Sequence, residues 1–136
     1  MMIDEEISSA VDAIDKAEKT QVQTGLLSRK FPEMTMDDAY KVQKMWVRKK
    51  ILTGQKIIGW KIGLTSKAMQ YALNIDTPDS GVLLDDMKFA NKGIIPAGRF
   101  IQPRIEAEIA FVMKSSLSGD ITVDDVKNAT DYVTAS

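Results

Sequence analysis

The sequence predicts an α+β protein: a helical N-terminal region with a short sheet, leading into a β-rich domain that the chain leaves incomplete. Three observations carry this. Apolar residues recur at three- to five-residue spacing up to Gly54 and at every second position just after it, a change from helical to strand period. Turn-forming clusters then cut the second half into short strand-like runs. The last pattern stops at Ser136 without Gly, Pro or a polar tail, so the final element reads as cut. The division expected is an N-terminal α/β domain over residues 1–76 and the first part of a β-rich domain over 77–136.

Taken in order, Ile3, Ile7, Val11, Ile14, Ala17 and Val22 predict an amphipathic helix through Thr24, broken by Phe31-Pro32. Thr35 stands as N-cap of a second helix, with Asp37 and Asp38 in its first turn and Ala39, Val42, Trp46 and Ile51 as its apolar stripe. Arg48, Lys49 and Lys50 load its C-terminal end before Gly54, a cluster read as helix-dipole complement and solvated face, with a phosphate or nucleic-acid patch as the alternative. From Ile57 to Leu64 the alternation predicts a strand with Ile58, Trp60, Ile62 and Leu64 on one face and Ile57, Gly59, Lys61 and Gly63 on the other. Ser66 caps a short helix through Ala72, residues 77–81 read as a turn, and Val82–Leu84 as a short strand. Phe100–Met113 is the longest strand-like segment, with Pro103 suited to an edge or a strand start. Thr122 with Asp125 opens a last helix carrying Val126, Ala129, Tyr132 and Val133. Trp46 and Trp60 are assigned to core.

Composition narrows the chemistry. The 136 residues carry 18 basic and 19 acidic side chains, so no basic excess points to nucleic acid or an anionic membrane. No apolar run approaches the ~20 residues of a membrane helix, and the acidic N-terminus is unlike a signal peptide, so a cytoplasmic protein is expected. There is no cysteine and no histidine. Thiolate nucleophiles, cysteine zinc sites and imidazole bases are excluded, which leaves carboxylates, lysines, arginines, hydroxyls or an oxygen-bound hard cation.

Three features carry that chemistry. In Arg104-Ile105-Glu106-Ala107-Glu108-Ile109-Ala110-Phe111, a strand would project Glu106 and Glu108 from one face and bury Ile105, Ala107, Ile109 and Phe111 on the other. Paired carboxylates repel unless a cation lies between them; Mg²⁺ or Mn²⁺ fits, and the alternative is a solvated face with Arg104 pairing one glutamate. Lys61 shares its strand face with Gly59 and Gly63, leaving space in which an ammonium can bind a carboxylate or move a proton; the alternative is a surface lysine. Asp79, in Thr77-Pro78-Asp79-Ser80-Gly81, reads first as a turn residue. Asp85-Asp86 point to opposite faces and do not suggest a shared ion.

The run Gly59-Trp60-Lys61-Ile62-Gly63-Leu64-Thr65-Ser66-Lys67-Ala68-Met69-Gln70 resembles the 2-oxo-acid hydratases of aromatic meta-cleavage pathways, within the fumarylacetoacetate-hydrolase superfamily. Segments 78–87, 103–112 and 129–133 resemble further family motifs in the same order. The group includes 2-oxohept-3-ene-1,7-dioate and 2-keto-4-pentenoate hydratases, with 4-oxalocrotonate decarboxylase related. The resemblance implies Mg²⁺ or Mn²⁺ at Glu106 and Glu108, substrate-binding and proton-transfer roles for Lys61 and Asp79, and hydration of a 2-hydroxy-dienoate to a 4-hydroxy-2-oxo acid. It implies a small 2-oxo acid as substrate, a homo-oligomer, and association with a decarboxylase or hydratase partner. Family members are about twice as long, and their third metal ligand falls beyond Ser136. The chain therefore resembles an N-terminal half, expected to bind metal weakly, with inactivity of the half alone weighed beside the hydratase reading. A decarboxylase, or a non-catalytic partner or relic, are the alternatives.

Overall fold

The computed structural model describes residues 1–136, which form two compact units, Met1–Ile101 and Gln102–Ser136. No helix is long and apolar enough to cross a membrane.

In the first unit, helix α1 (Asp4–Thr20) packs against α3 (Met36–Leu52). Their seam is a cluster of Met2, Ile7, Ala10, Val11 and Val42, with Ile14, Leu27, Phe31, Met34 and Trp46 against it. Helix α1 ends earlier than the apolar spacing predicts, because Gln21 adopts a left-handed conformation (φ 57°) and donates its side-chain amide to the Glu18 carbonyl at 2.6 Å. A single-turn helix α2 (Leu27–Lys30), too short to show a period, precedes Phe31-Pro32.

Thr35 caps α3 as expected, in a reciprocal box: Asp38 N–H donates to Thr35 Oγ1 at 3.1 Å and Thr35 N–H to Asp38 Oδ2 at 3.2 Å. Asp38 is fully buried, and its Oδ2 also accepts from Met2 N–H (3.1 Å), tying the N-terminal segment to α3. Burial alone would raise this carboxyl. The Thr35 and Met2 N–H groups, the Thr35 hydroxyl and the Lys41 ammonium overcome it and hold Asp38 well below the usual carboxylate range. The basic end of α3 is not simply a solvated cluster. Lys49 pairs with Asp15 (2.8 Å) and Asp12 (3.1 Å) of α1, while Lys50 is buried, pairs with Glu18 and lies over the Trp46 ring. Acids of α1 spaced to face these lysines recruit them as interhelical clamps.

After Gly54, in the glycine-favouring region at φ 103°, strand β1 (Ile57–Gly63) pairs antiparallel with β2 (Asp79–Leu84). Helix α4 (Lys67–Leu73), capped by Ser66 as expected, lies between them in sequence. The boundary expected after residue 76 falls between these two paired strands. Two further expectations are corrected. Asp79 opens β2 opposite Gly63 rather than sitting in a turn, since the edge of β1 gives its backbone a ladder partner. Trp60 is 64% exposed rather than core, because the two-stranded sheet has no layer over that side of it. Leu84 is fully buried where β2 enters a 3₁₀ turn, Asp85–Met87. There the Asp85 carboxylate accepts from Lys56 N–H, and Asp86 from the Gln55 amide and Arg99.

In the second unit, β3 (Ile109–Met113) pairs antiparallel with β4 (Thr130–Ala135), and α5 (Val123–Ala129) joins them through the expected Thr122–Asp125 box. The long strand expected over Phe100–Met113 is only its last five residues. The ladder runs from the Met113–Thr130 pair to the bonds between Glu108 and Ser136 and does not include residues 100–107. Tyr132 and Val133 lie on β4, not on a continued helix; the β-branched and aromatic run from Thr130 to Thr134 favours a strand once β3 is available. The face expected to be buried is open: Ile105 is wholly exposed, and Ile109 and Phe111 are 71% and 58% exposed. Phe111 stands opposite Val133 on this uncovered side.

Candidate functional site

The β1–β2 pairing brings Lys61 and Asp79 onto one face. Lys61 stands opposite Gly81, and Asp79 opposite Gly63, so the two charged residues are diagonal neighbours. Diagonal positions of this kind are roughly 7–8 Å apart, within reach of a long side chain. Each charged side chain crosses the partner strand over a glycine. A Cβ added at Gly81 would lie 3.3 Å from Lys61 Cγ, and one at Gly63 would lie 3.2 Å from Asp79 Cγ, with Asp79 Oδ1 closer still. Gly59, on the same face, is different: a Cβ there would meet only Leu83 Cδ1 at 3.9 Å, an ordinary contact. The glycine spacing that singles out Lys61 thus has a second half in β2, which a reading of one strand at a time misses.

Helix α3 holds the start of β2. Tyr40 Oη accepts from Ser80 N–H at 3.1 Å, and Gln43 Nε2 donates to the Ser80 carbonyl at 3.0 Å. A cavity of about 170 Å³ beside them is lined by Met36, Ala39, Tyr40, Gln43, Asp79 and Ser80. An ammonium and a carboxylate on one sheet face, next to a small cavity, can bind a carboxylic acid at one end and exchange a proton at the other. Tyr40 and Gln43 escaped the sequence reading; the available signal was their three-residue spacing on α3.

Glu106 and Glu108 belong to the second unit. Both are exposed and precede β3, rather than lying within a long strand. Glu108 is held by the ladder, donating its N–H to the Ser136 carbonyl and accepting from Ser136 N–H, each at 3.0 Å. No group of three or more acidic, histidine or cysteine side chains is arranged so that it could hold a metal ion. Two carboxylates nevertheless fit Mg²⁺, a hard ion that keeps several waters and takes one or two carboxylates with the remaining places open to substrate oxygens.

Several helix clamps and caps carry carboxyls of shifted acidity. Asp15, which burial alone would raise, is lowered by its bonds to Lys19 and Lys49; Asp125 is lowered by the Thr122 hydroxyl and N–H. With Asp38, these are helix clamps and caps. Here a perturbed carboxyl marks a structural lock rather than a reacting group.

Comparison with known proteins bears on the same segments. No family model matches. The chain is 54% identical over 121 residues to the 2-oxo-hept-4-ene-1,7-dioate hydratase of Escherichia coli, covering 88% of this chain and 45% of that protein. It is 43% identical over 104 residues to the 2-keto-4-pentenoate hydratase of Paraburkholderia xenovorans, covering 76% of this chain and 39% of the relative. Among solved structures, the 4-oxalocrotonate decarboxylase of Pseudomonas putida G7, complexed with calcium and acetate, matches with a TM-score of 0.92 at 37% identity, over 98% of this chain and 52% of that one. A second structure of the decarboxylase, complexed with magnesium and adipate, matches with a TM-score of 0.88. The chain spans about half the length of the curated relatives it matches. Over that span, the curated proteins it resembles are 2-oxo-acid hydratases and 4-oxalocrotonate decarboxylases.

Proposed function

We propose that this chain carries the substrate-facing lysine and aspartate and two of the metal-binding carboxylates of a metal-dependent hydratase acting on a 2-hydroxy-dienoate of aromatic meta-cleavage catabolism. The carrying observation is the shared face of Lys61 and Asp79, each laid across a glycine of the opposite strand. In this reading the Lys61 ammonium neutralises or protonates the substrate, and the Asp79 carboxylate accepts a proton during ketonisation of the dienol. Water then adds to the unsaturated 2-oxo acid to give a 4-hydroxy-2-oxo acid. Glu106 and Glu108 would hold Mg²⁺ or Mn²⁺, which when bound supplies Lewis-acid stabilisation of charge developing on the substrate's 2-oxygen. Residues 77–136 would contribute the opening of a β-rich catalytic domain of fumarylacetoacetate-hydrolase type, working as a homo-oligomer and associating with a decarboxylase or hydratase partner.

The fit to the decarboxylase structure supports a second reading, loss of CO₂ from a 4-oxalocrotonate-type acid at the same residues. One experiment separates the two. The chain is mixed with 2-hydroxypenta-2,4-dienoate and, separately, with 4-oxalocrotonate, with Mg²⁺ or EDTA, while dienol absorbance and released CO₂ are followed. Mg²⁺-dependent loss of dienol absorbance without CO₂ supports the hydratase, and CO₂ release supports the decarboxylase. A chain inert toward both acids that also binds no divalent cation overturns the catalytic reading in favour of a non-catalytic role.

A further inference from the structure

We propose that Tyr40 and Gln43 of α3 are positioning residues for the Asp79 carboxylate. The N–H and C=O of a strand residue point to the same edge of the strand, and at Ser80 both are taken by α3 side chains, at 3.1 Å by Tyr40 and 3.0 Å by Gln43. Ser80 faces Ile62 across the sheet, and its neighbours Asp79 and Gly81 face Gly63 and Lys61. In an antiparallel pair, residues bonded to the partner strand alternate with residues whose backbone groups point outward. Tyr40 and Gln43 therefore cover the one outward-pointing residue between the two glycine crossings.

The consequence is a fixed register where it matters. A slip of one residue turns every side chain of a strand to the opposite face, which would carry Asp79 away from Lys61. The sheet has only two strands, so no third strand holds the open edge of β2 at this point. Two side chains three residues apart on one helix do that instead, and they also wall the cavity beside Asp79. The importance of this clamp for turnover rests on the role given to Asp79 above; the clamp itself does not.

The test uses Tyr40→Phe and Gln43→Leu in the full chain, each of which keeps one of the two bonds to Ser80. Lys44→Ala, an exposed change on the same helix, is the control. Three quantities are read by NMR: the Asp79 carboxyl ¹³C shift, the Gly63 Hα to Asp79 Hβ nuclear Overhauser contact, and hydrogen exchange of the Ser80 amide. The expected result is a moved Asp79 signal and a weakened Gly63–Asp79 contact in both variants. Exchange at Ser80 accelerates roughly 5- to 10-fold in Tyr40→Phe, and the melting midpoint of the α1–α3 core is held. An Asp79 signal unchanged in both variants, or moved as much by Lys44→Ala, overturns the proposal. A chain inert toward both acids that also binds no divalent cation overturns the proposed function, yet these readouts still decide the clamp.

Discussion

Gly63→Ala isolates the feature on which the candidate site depends. The added methyl would lie 3.2 Å from Asp79 Cγ, against an ordinary carbon–carbon separation of about 3.5–4.0 Å, with Asp79 Oδ1 closer than Cγ. The carbon must retreat by roughly 0.3–0.8 Å and the oxygen by about 1 Å. Since the group that gives way is the end of a side chain, the strand itself survives. Replacing glycine at a compatible backbone conformation restricts the unfolded chain and is worth about 0.4–1 kcal/mol of stability. A 1 Å misplacement of a reacting group costs about 100-fold in rate. Gly63→Ala is thus expected to melt at or slightly above the unmodified chain while losing about two orders of magnitude in dienol turnover. Gly59→Ala, whose methyl meets only Leu83 Cδ1 at 3.9 Å, leaves turnover unchanged; Gly81→Ala, at 3.3 Å from Lys61 Cγ, falls between. Thermal melts and dienol absorbance measured on the three variants check the series. Equal turnover in Gly59→Ala and Gly63→Ala, or a Gly63→Ala chain that fails to fold, would refute the reasoning.

Other perturbations test the frame around the site. Leu84→Ala, at a fully buried position, should destabilise the first unit by about 3 kcal/mol, read from urea unfolding. Thr122→Ala removes the N-cap of α5 and should cost about 1 kcal/mol, read from exchange protection of the β3–β4 amides. Asp38 and Asp15 have folded-state pKa values below their unfolded ones, so the stability they contribute is complete above about pH 5 and is lost as pH falls toward the folded values. Circular-dichroism melts from pH 7 to pH 2.5 should show this acid limb, and Asp38→Asn should lower the neutral-pH midpoint while flattening the limb. Lys49 has the opposite sign: raised chiefly by its bonds to Asp15 and Asp12, it contributes below its unfolded value near pH 10.4, and that part is lost as pH rises past the folded value.

Local signals were legible where they depended on neighbours in sequence. The caps at Thr35, Ser66 and Thr122 and the apolar stripes of α1 and α3 were all readable, because capping and helical period act over three or four residues. What escaped depends on partners far along the chain. Asp79 looked like a turn residue until β1 supplied its ladder, and residues 130–135 continued a helical pattern until β3 offered an edge. The burial expected for Ile109 and Phe111 presumes a covering layer, and the two-stranded β3–β4 sheet leaves both largely exposed. Lys61 was legible as a residue beside glycines, but its relation to Asp79 required the register of two strands, and the clamp by Tyr40 and Gln43 required a helix packed on the edge of that sheet. Glu106 and Glu108 stood out by residue type and spacing alone, and the structure places Glu108 in the ladder opposite Ser136.

The most direct test of the central claim, a carboxylate-held divalent cation serving a 2-oxo acid, is a calorimetric titration of the chain with Mg²⁺ in the presence of a 2-oxo dicarboxylate. The expected result is saturable binding that weakens by at least about tenfold in Glu106→Gln and in Glu108→Gln while Lys127→Ala, an exposed change in the same unit, leaves it intact. Equal binding in the unmodified chain and in both glutamine variants would contradict it.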